Sequence, residues 1–189
     1  MRLRLFFLLL ISPFFLGSIY SQEFSRNYLT YGCGVGMSDG SGFVGGGLAM
    51  QIGYKRDIWK DRLRFSPNLL IGAYRSEGIT DVREQYFNSV SLRLIMDYDI
   101  VRYKMLGLNI ETGGLLNATR GLKGTGGEFQ ANESEYVNEW NYGIIIAGGL
   151  KIAPKNKNIA INLIPLTLHF GLDYFAEMHA MIRLEYRLK

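Results

Sequence analysis

The stretch Val90–Tyr98, which reads VSLRLIMDY, decides the fold class because its residues alternate in character. Every second side chain from Val90 onward is apolar, whereas the positions between them include Arg93 and Asp97. Successive side chains of an extended strand point to opposite faces, so this order gives one apolar face and one polar face. No stretch after Tyr28 keeps the roughly 3.6-residue period of an amphipathic helix. The sequence therefore predicts an all-β protein.

The same alternation recurs on both sides of Val90–Tyr98, in units of about ten residues separated by turn-like clusters. It is clear in 106–117 and again in 179–188. Bacterial barrels made from one chain have an even number of strands, and eight fit this sequence. The predicted strands are 28–37, 42–54, 63–75, 87–99, 105–119, 138–152, 159–170 and 178–188.

Small and charged residues share the polar face of these strands. Gly32, Gly34 and Gly36 alternate with apolar neighbours, as expected where a narrow barrel interior must leave room for long side chains. A soluble β-sandwich would also alternate, but it would bury bulky apolar residues and expose the charges. The predicted fold is an eight-stranded antiparallel up-and-down transmembrane β-barrel. The charges predicted to point inward are Arg64, Arg93, Asp97, Glu111, Arg183 and Glu185.

Composition agrees with a barrel that crosses a membrane by its strands. Hydrophobic residues make up 48% of the chain. No segment after the N-terminus is a continuous apolar run of the roughly 20 residues that a transmembrane helix needs. Only helices and closed barrels satisfy every backbone hydrogen bond in lipid, so a membrane location requires the closed barrel.

The N-terminus has the layout of a cleavable secretory signal. Arg2 and Arg4 lie at the start of an apolar segment, 3–16, and small residues follow up to Ser21. An N-terminal anchor helix is the alternative, which the short apolar run and Pro13 disfavour. We expect 1–21 to be a signal peptide and 22–189 to be a barrel domain in the bacterial outer membrane.

The net charge argues against nucleic acid as a partner. It is +4 for the whole chain and +2 without 1–21, because that segment carries two arginines and no acid. No basic patch interleaved with aromatic residues is apparent. The expected partners are outer-membrane lipid, the barrel-assembly machinery and an envelope or surface protein.

The connections between strands form two groups, one at each end of the barrel. The turn end, which holds the N-terminus, is predicted to be basic and includes Lys55, and its connections are 55–62, 100–104 and 153–158. The loop end is predicted to be acidic and includes Glu177, and its connections are 38–41, 76–86, 120–137 and 171–177. Longer loops belong on the outer side of such barrels, and loops on a rigid scaffold commonly carry function. The loop-end residues predicted to contact a partner are Glu128, Glu133, Glu135 and Glu139.

The inward charges allow two interpretations. An eight-stranded barrel is just wide enough to be filled by side chains, so a plug of paired charges is favoured over an open lumen. The alternative is a narrow pore or transporter for small solutes. A hairpin centred near Arg102 predicts that Arg93 and Glu111 lie opposite each other.

His169 and His179 are the only histidines, and both are predicted to point inward. Small barrels that deacylate lipid A use a histidine with a nearby serine and an acid. Glu177 could supply the acid, but Gly171 occupies the position where the serine would be needed. We therefore predict no catalytic, cofactor-binding or metal-binding residues, and a lipid A-modifying enzyme is the least favoured alternative.

The whole chain after residue 21 resembles the small outer-membrane barrel proteins of the outer-membrane protein X and W type. The resemblance is carried by the eight alternating strands and the closing strand Ala180–Leu188, which reads AMIRLEYRL. Its Gly- and Tyr-rich style is similar to that of the uncharacterised barrels of Bacteroidetes. The last strand of that family usually ends in an aromatic residue, whereas here Tyr186 is followed by three further residues. The resemblance implies a membrane-embedded structural or interaction protein.

Overall fold

The computed structural model describes residues 26–39, 44–59, 62–75, 86–124, 134–154, 158–171 and 175–188. The predicted signal peptide, 1–21, lies outside these residues. The strands are β1 (Asn27–Asp39), β2 (Val44–Trp59), β3 (Leu63–Arg75), β4 (Tyr86–Tyr103), β5 (Leu106–Gly124), β6 (Ser134–Ile152), β7 (Ile159–Gly171) and β8 (Ala176–Leu188).

Each strand pairs antiparallel with its neighbours in sequence, and β1 pairs with β8 to close the barrel. This confirms the predicted eight-stranded up-and-down barrel. Closure leaves the barrel wall without a free sheet edge along the β1–β8 seam. Among the described residues there is no helix long and apolar enough to cross a membrane.

The two faces of the wall have the polarity that the alternation predicts. On β4, Leu94 is 50% exposed on the exterior, whereas its neighbour Arg93 is 1% exposed inside. Ile110 and Leu184 lie on the exterior as well. The barrel is thus apolar outside and polar inside, the reverse of a soluble β-sandwich.

Two glycines on the inner face make room for aromatic or imidazole rings. A Cβ on Gly36 would overlap the ring of His179, and a Cβ on Gly72 would overlap the ring of Tyr74. A larger residue at either position would displace these rings from the lumen.

The predicted register of the β4–β5 hairpin is wrong. Arg93 pairs with Leu115, and Glu111 pairs with Asp97. The turn lies at 104–105, with Lys104 in the left-handed conformation at φ 54°, and a bulge interrupts the pairing after Asp99. The displacement is an even number of residues, so each side chain keeps its predicted face.

Strands β5 and β6 are 19 residues long, whereas β1, β3, β7 and β8 have 13. The predicted loop over 120–137 is therefore too long, because much of it belongs to the β5–β6 hairpin. Pairing of β6 with β7 begins only at Gly143. Among the described residues, 134–142 consequently have a strand partner on the β5 side alone.

Four predicted rim residues lie elsewhere. Lys55 and Glu177 are buried inside the barrel, because β2 and β8 extend further than predicted. Glu139 lies in β6 rather than in a loop and is half-buried, and Glu135 also belongs to β6. Glu128 and Glu133 lie outside the described residues.

Exposed aromatic residues form two belts on the exterior, one near each end. Two other aromatic residues, Tyr74 and Phe87, point into the lumen and stack with their ring centroids 5.2 Å apart. The turn-end belt contains Tyr54, Trp59, Tyr103 and Tyr186. The loop-end belt contains Tyr86, Tyr136, Trp140, Tyr142 and Phe170.

Candidate functional site

The lumen holds two groups of buried polar side chains. We call the group nearer the turns the turn-end network and the other the loop-end cluster. The turn-end network consists of Lys55, Asp57, Arg64, Asp97, Asp99, Glu111, Lys151, Arg183 and Glu185. The loop-end cluster consists of Ser38, Tyr74, His169, Glu177 and His179.

Lys55 lies at the centre of the turn-end network. Its Nζ atom is 2.5 Å from Asp97 Oδ2 and 2.5 Å from Glu185 Oε1. These partners lie on β4 and β8, neither of which pairs with β2. The ammonium group therefore connects strands across the lumen, and burial strengthens both attractions because water cannot screen them.

The other cations of the turn-end network have carboxylate partners too. Arg64 NH1 lies 3.0 Å from Asp97 Oδ2, and the same guanidinium also contacts Asp57 and Asp99. Lys151 Nζ lies 2.6 Å from Glu185 Oε2. Because Asp97 and Glu185 each serve more than one cation, the ion pairs form one connected network.

Arg183 and Glu111 make a two-bond contact across the lumen. Arg183 NH1 donates to Glu111 Oε2 at 3.1 Å, and NH2 donates to the second carboxylate oxygen. This parallel arrangement is the strong, directional form of a guanidinium–carboxylate pair. Glu111 therefore pairs with a residue of β8, not with Arg93 of the neighbouring strand.

All six charges predicted to point inward are buried, each at most 3% exposed. The structure brings five of them together in the turn-end network. Arg93 lies apart, because its Nε donates to Asn68 Oδ1 at 2.6 Å and its NH1 is 3.4 Å from His169 Nε2.

The sequence prediction missed Lys55 and Lys151 as lumen residues. Lys55 was assigned to a turn, although the alternation of β2 continues inward from Gly53 through Lys55 to Asp57. Lys151 stands inside a predicted strand, two positions after Gly149 on the inner face. Extending the alternation to the strand ends would have found both.

The loop-end cluster is held by hydrogen bonds around one carboxylate. His169 Nδ1 is 3.0 Å from Glu177 Oε2, and Ser38 Oγ donates to Glu177 Oε1 at 3.0 Å. Tyr74 Oη is 2.7 Å from His179 Nε2, and the two imidazole rings lie 4.9 Å apart. The register of β7 and β8, which places His169 opposite Glu177, assembles the cluster.

One possible ligand atom from each of His169, Glu177 and His179 lies within 4.8 Å of the others, which is close enough to consider a single metal ion. Two contacts oppose this use. Arg93 places a positive charge 3.4 Å from the second nitrogen of His169, and Tyr74 already occupies His179 Nε2. The cluster fits a hydrogen-bond network better than a metal site.

The histidine and acid of the lipid A-modifying alternative do meet, as His169 and Glu177. A nucleophile needs a hydroxyl group that donates to the histidine. Ser38 donates to Glu177, and Ser89 donates to Asn117 Oδ1 at 2.7 Å. No serine hydroxyl among the described residues is placed for activation by His169.

Apolar side chains fill part of the lumen between the two polar groups. Along β8, Met181 separates Arg183 from His179, and it packs with Ala49 and Leu70. A second apolar group comprises Ile95, Leu115, Ile145 and Phe175. The interior is therefore packed with side chains at several levels.

No protein-family model and no curated protein sequence matches this chain. Solved structures match over most of its length. Neisserial surface protein A is 11% identical, with a TM-score of 0.65, over 88% of this chain and 100% of that protein. A major outer membrane protein of Thermus thermophilus is also 11% identical, with a TM-score of 0.58 and the same coverage.

A third match is Ail, the attachment invasion locus protein of Yersinia pestis, solved in complex with the heparin analogue sucrose octasulfate. It is 12% identical, with a TM-score of 0.55, over 88% of this chain and 100% of that protein. Likeness at this level of identity establishes the fold that this chain shares with small outer-membrane barrels.

Proposed function

We propose that this chain is an outer-membrane β-barrel with a closed lumen, which presents an interaction surface at its loop end. The single observation that carries the proposal is the inverted polarity of the wall, apolar outside and ionic inside. The family resemblance to the outer-membrane protein X and W type, the Bacteroidetes style and export by a signal peptide over 1–21 are part of the same proposal.

The dimensions of the apolar exterior fit a bilayer. On β4 the outward positions from Val90 to Ile100 are apolar, and the next outward residue toward the loops, Asn88, is polar. On β5 and β6 the polar pair Arg120 and Asn138 sits directly beyond Trp140. A tilted strand needs roughly 9–11 residues to cross the hydrocarbon, and flanking aromatic belts belong at its two interfaces.

Burial of the lumen charges supports a closed barrel over a pore. Solvent reaches none of Lys55, Asp97 and Glu185, which are each 0% exposed. Charges that line a water-filled channel would be hydrated, whereas these are satisfied by one another. A structural plug is therefore the better interpretation of the inward charges.

The loop end offers the interaction surface. Beyond Trp140 the β5–β6 hairpin projects past the apolar exterior, and 134–142 have no partner on the β7 side among the described residues. Unpaired strand edges bind extended peptides by adding a strand to the sheet. The names of two fold neighbours, a surface protein and an attachment invasion locus protein, agree with a role in contacting a partner.

A charge at the middle of the exterior tests the membrane assignment. We expect Leu94→Arg to destabilise the barrel in bilayers by about 2–4 kcal/mol, because lipid cannot solvate the guanidinium. Asn88→Arg is the matched control, because it introduces the same residue on the same strand and face but beyond the apolar positions. It should destabilise the barrel by about 0–1 kcal/mol. Urea-dependent folding into lipid vesicles measures both. Equal costs would mean that this face meets water.

Two further experiments test whether the lumen is closed and whether the loop end is the interaction surface. Planar bilayers containing the purified barrel should show no stepwise conductance, and regular steps would favour the narrow pore instead.

A photo-crosslinking residue at exposed Asn138 should give a discrete adduct on intact cells, whereas one at exposed Arg56 of the turn end should not. Adducts at Arg56 alone would contradict presentation at the loop end.

A further inference from the structure

The turn end of the barrel contains a cavity of about 380 Å³ that the proposed function does not use. It lies between the turn at 104–105, Ala153 and Pro154 after β6, and the end of β8. Its volume falls at the lower end of the roughly 300–1,000 Å³ range of small-molecule sites. Arg64, Asp99 and Lys151 of the turn-end network are part of its lining.

The charge around this cavity is unbalanced. Six cationic side chains line it, whereas Asp99 is the only carboxylate in its lining. Asp99 already serves Arg64 and Arg102, and Lys151 is paired with Glu185. Of the three other cations, Arg26 is half-buried, whereas Lys104 and Arg187 are exposed. No carboxylate among the described residues forms an ion pair with Lys104 or Arg187.

Backbone hydrogen bonds fix the walls of the cavity. Ala153 N donates to Met105 O at 2.7 Å, which ties the end of β6 to the β4–β5 turn. Arg187 N donates to Asn158 O at 2.7 Å, which ties the start of β7 to β8. Lys104 and Arg187 are therefore carried by backbone that is already ordered, so a ligand meets a preformed site.

The lining also indicates the chemistry of the ligand. Guanidinium and ammonium groups together suit a compact oxyanion, because arginine matches phosphate geometry and lysine adds a point charge. Met105, Leu106 and Ile159 supply an apolar wall on the same cavity. We propose that the turn-end cavity binds a phosphate-bearing organic ligand, with Lys104 and Arg187 as its principal contacts. This proposal depends on the cavity alone and holds whether or not the loop end binds a partner.

Binding of inorganic pyrophosphate to the barrel in phosphatidylcholine nanodiscs, followed by calorimetry, tests the site. We expect saturable binding at one site, weakened at least about tenfold by the double variant Lys104→Gln/Arg187→Gln, which removes two charge-assisted contacts. The control is Arg56→Gln/Arg62→Gln, which removes the same charge from exposed residues at the same end that do not line the cavity. Heat-modifiable gel migration verifies that both variants are folded.

The source of the phosphate group is decided by native mass spectrometry from micelles of phosphatidylcholine and phosphatidylglycerol. If the original protein and the control retain phosphatidylglycerol but Lys104→Gln/Arg187→Gln loses it, the phosphate group belongs to a lipid headgroup. Equal lipid retention in all three proteins, with specific pyrophosphate binding, assigns a soluble ligand. Absence of saturable pyrophosphate binding, or equal weakening in both double variants, would overturn the proposal, since the basic rim would then attract anions without a site.

Discussion

The turn-end network and the loop-end cluster are both buried inside one barrel, yet they are stabilised in different ways. At the turn end, ammonium and guanidinium groups meet carboxylates that each serve several partners. At the loop end, one carboxylate, Glu177, is surrounded by hydroxyl and imidazole groups, and Arg93 lies on the far side of His169. The comparison teaches that equal burial does not imply equal sensitivity to mutation.

The difference follows from what a mutation leaves behind. Removing one member of a buried ion pair leaves the opposite charge buried without water or a partner. Removing one member of a neutral hydrogen bond leaves only an unpaired dipole, which lowers the free energy of unfolding by less. The following variants rank the two groups from the largest expected effect to the smallest.

Glu185→Gln should have the largest effect. It removes the charge that Lys55 and Lys151 share, at 2.5 and 2.6 Å, and leaves Lys151 without a carboxylate among the described residues. We expect a loss of about 3–5 kcal/mol in the free energy of unfolding, read from urea-dependent folding into vesicles. A loss below about 1 kcal/mol would mean that water enters the turn end and hydrates the lysines.

Glu177→Gln makes the same chemical change in the loop-end cluster and is the matched test. The amide oxygen can still accept from His169 Nδ1, and the amide nitrogen can donate to Ser38 Oγ. We expect a loss of about 1–3 kcal/mol in the same assay. If this loss equals that of Glu185→Gln, the distinction between the two groups is wrong and the histidines carry charge.

Tyr74→Phe should have the smallest effect. It removes the hydroxyl that lies 2.7 Å from His179 Nε2 but keeps the ring against Phe87. We expect a loss of about 0.5–1.5 kcal/mol with an unchanged denaturant slope. Tyr136→Phe, which deletes a hydroxyl on the exposed exterior, should change stability by less than about 0.5 kcal/mol. Similar values for the two variants would show that the Tyr74 hydrogen bond contributes nothing.

The sequence predicted the barrel, its strand number and the inward face of the six charges that it assigned to the lumen, because alternation is a local property of an extended chain. Arg93 and Leu94 point to opposite sides as their order requires. The register of β4 and β5 was not predictable in the same way. Its turn contains Lys104 in a left-handed conformation, and no Gly or Asn marks that position.

The partners inside the lumen could not be predicted from the sequence either. Arg183 of β8 meets Glu111 of β5, and Lys55 of β2 meets Asp97 of β4. Which strands face each other across a barrel depends on tilt and stagger, and these are set by the pairing of all eight strands together. The alternation along each strand shows that these residues point inward, but it does not show which of them contact each other.

The contact of Lys55 with Glu185 also bears on the order in which the barrel assembles. Glu185 lies on β8, and its strand reaches its place only when β8 joins β1 and the seam closes. Until that step, Lys55 of β2 lacks this carboxylate, so an incompletely closed intermediate holds a buried ammonium group with one of its two carboxylate partners missing. The turn-end network therefore stabilises the finished barrel over its precursors, and its contribution falls late in folding and slows reopening of the seam.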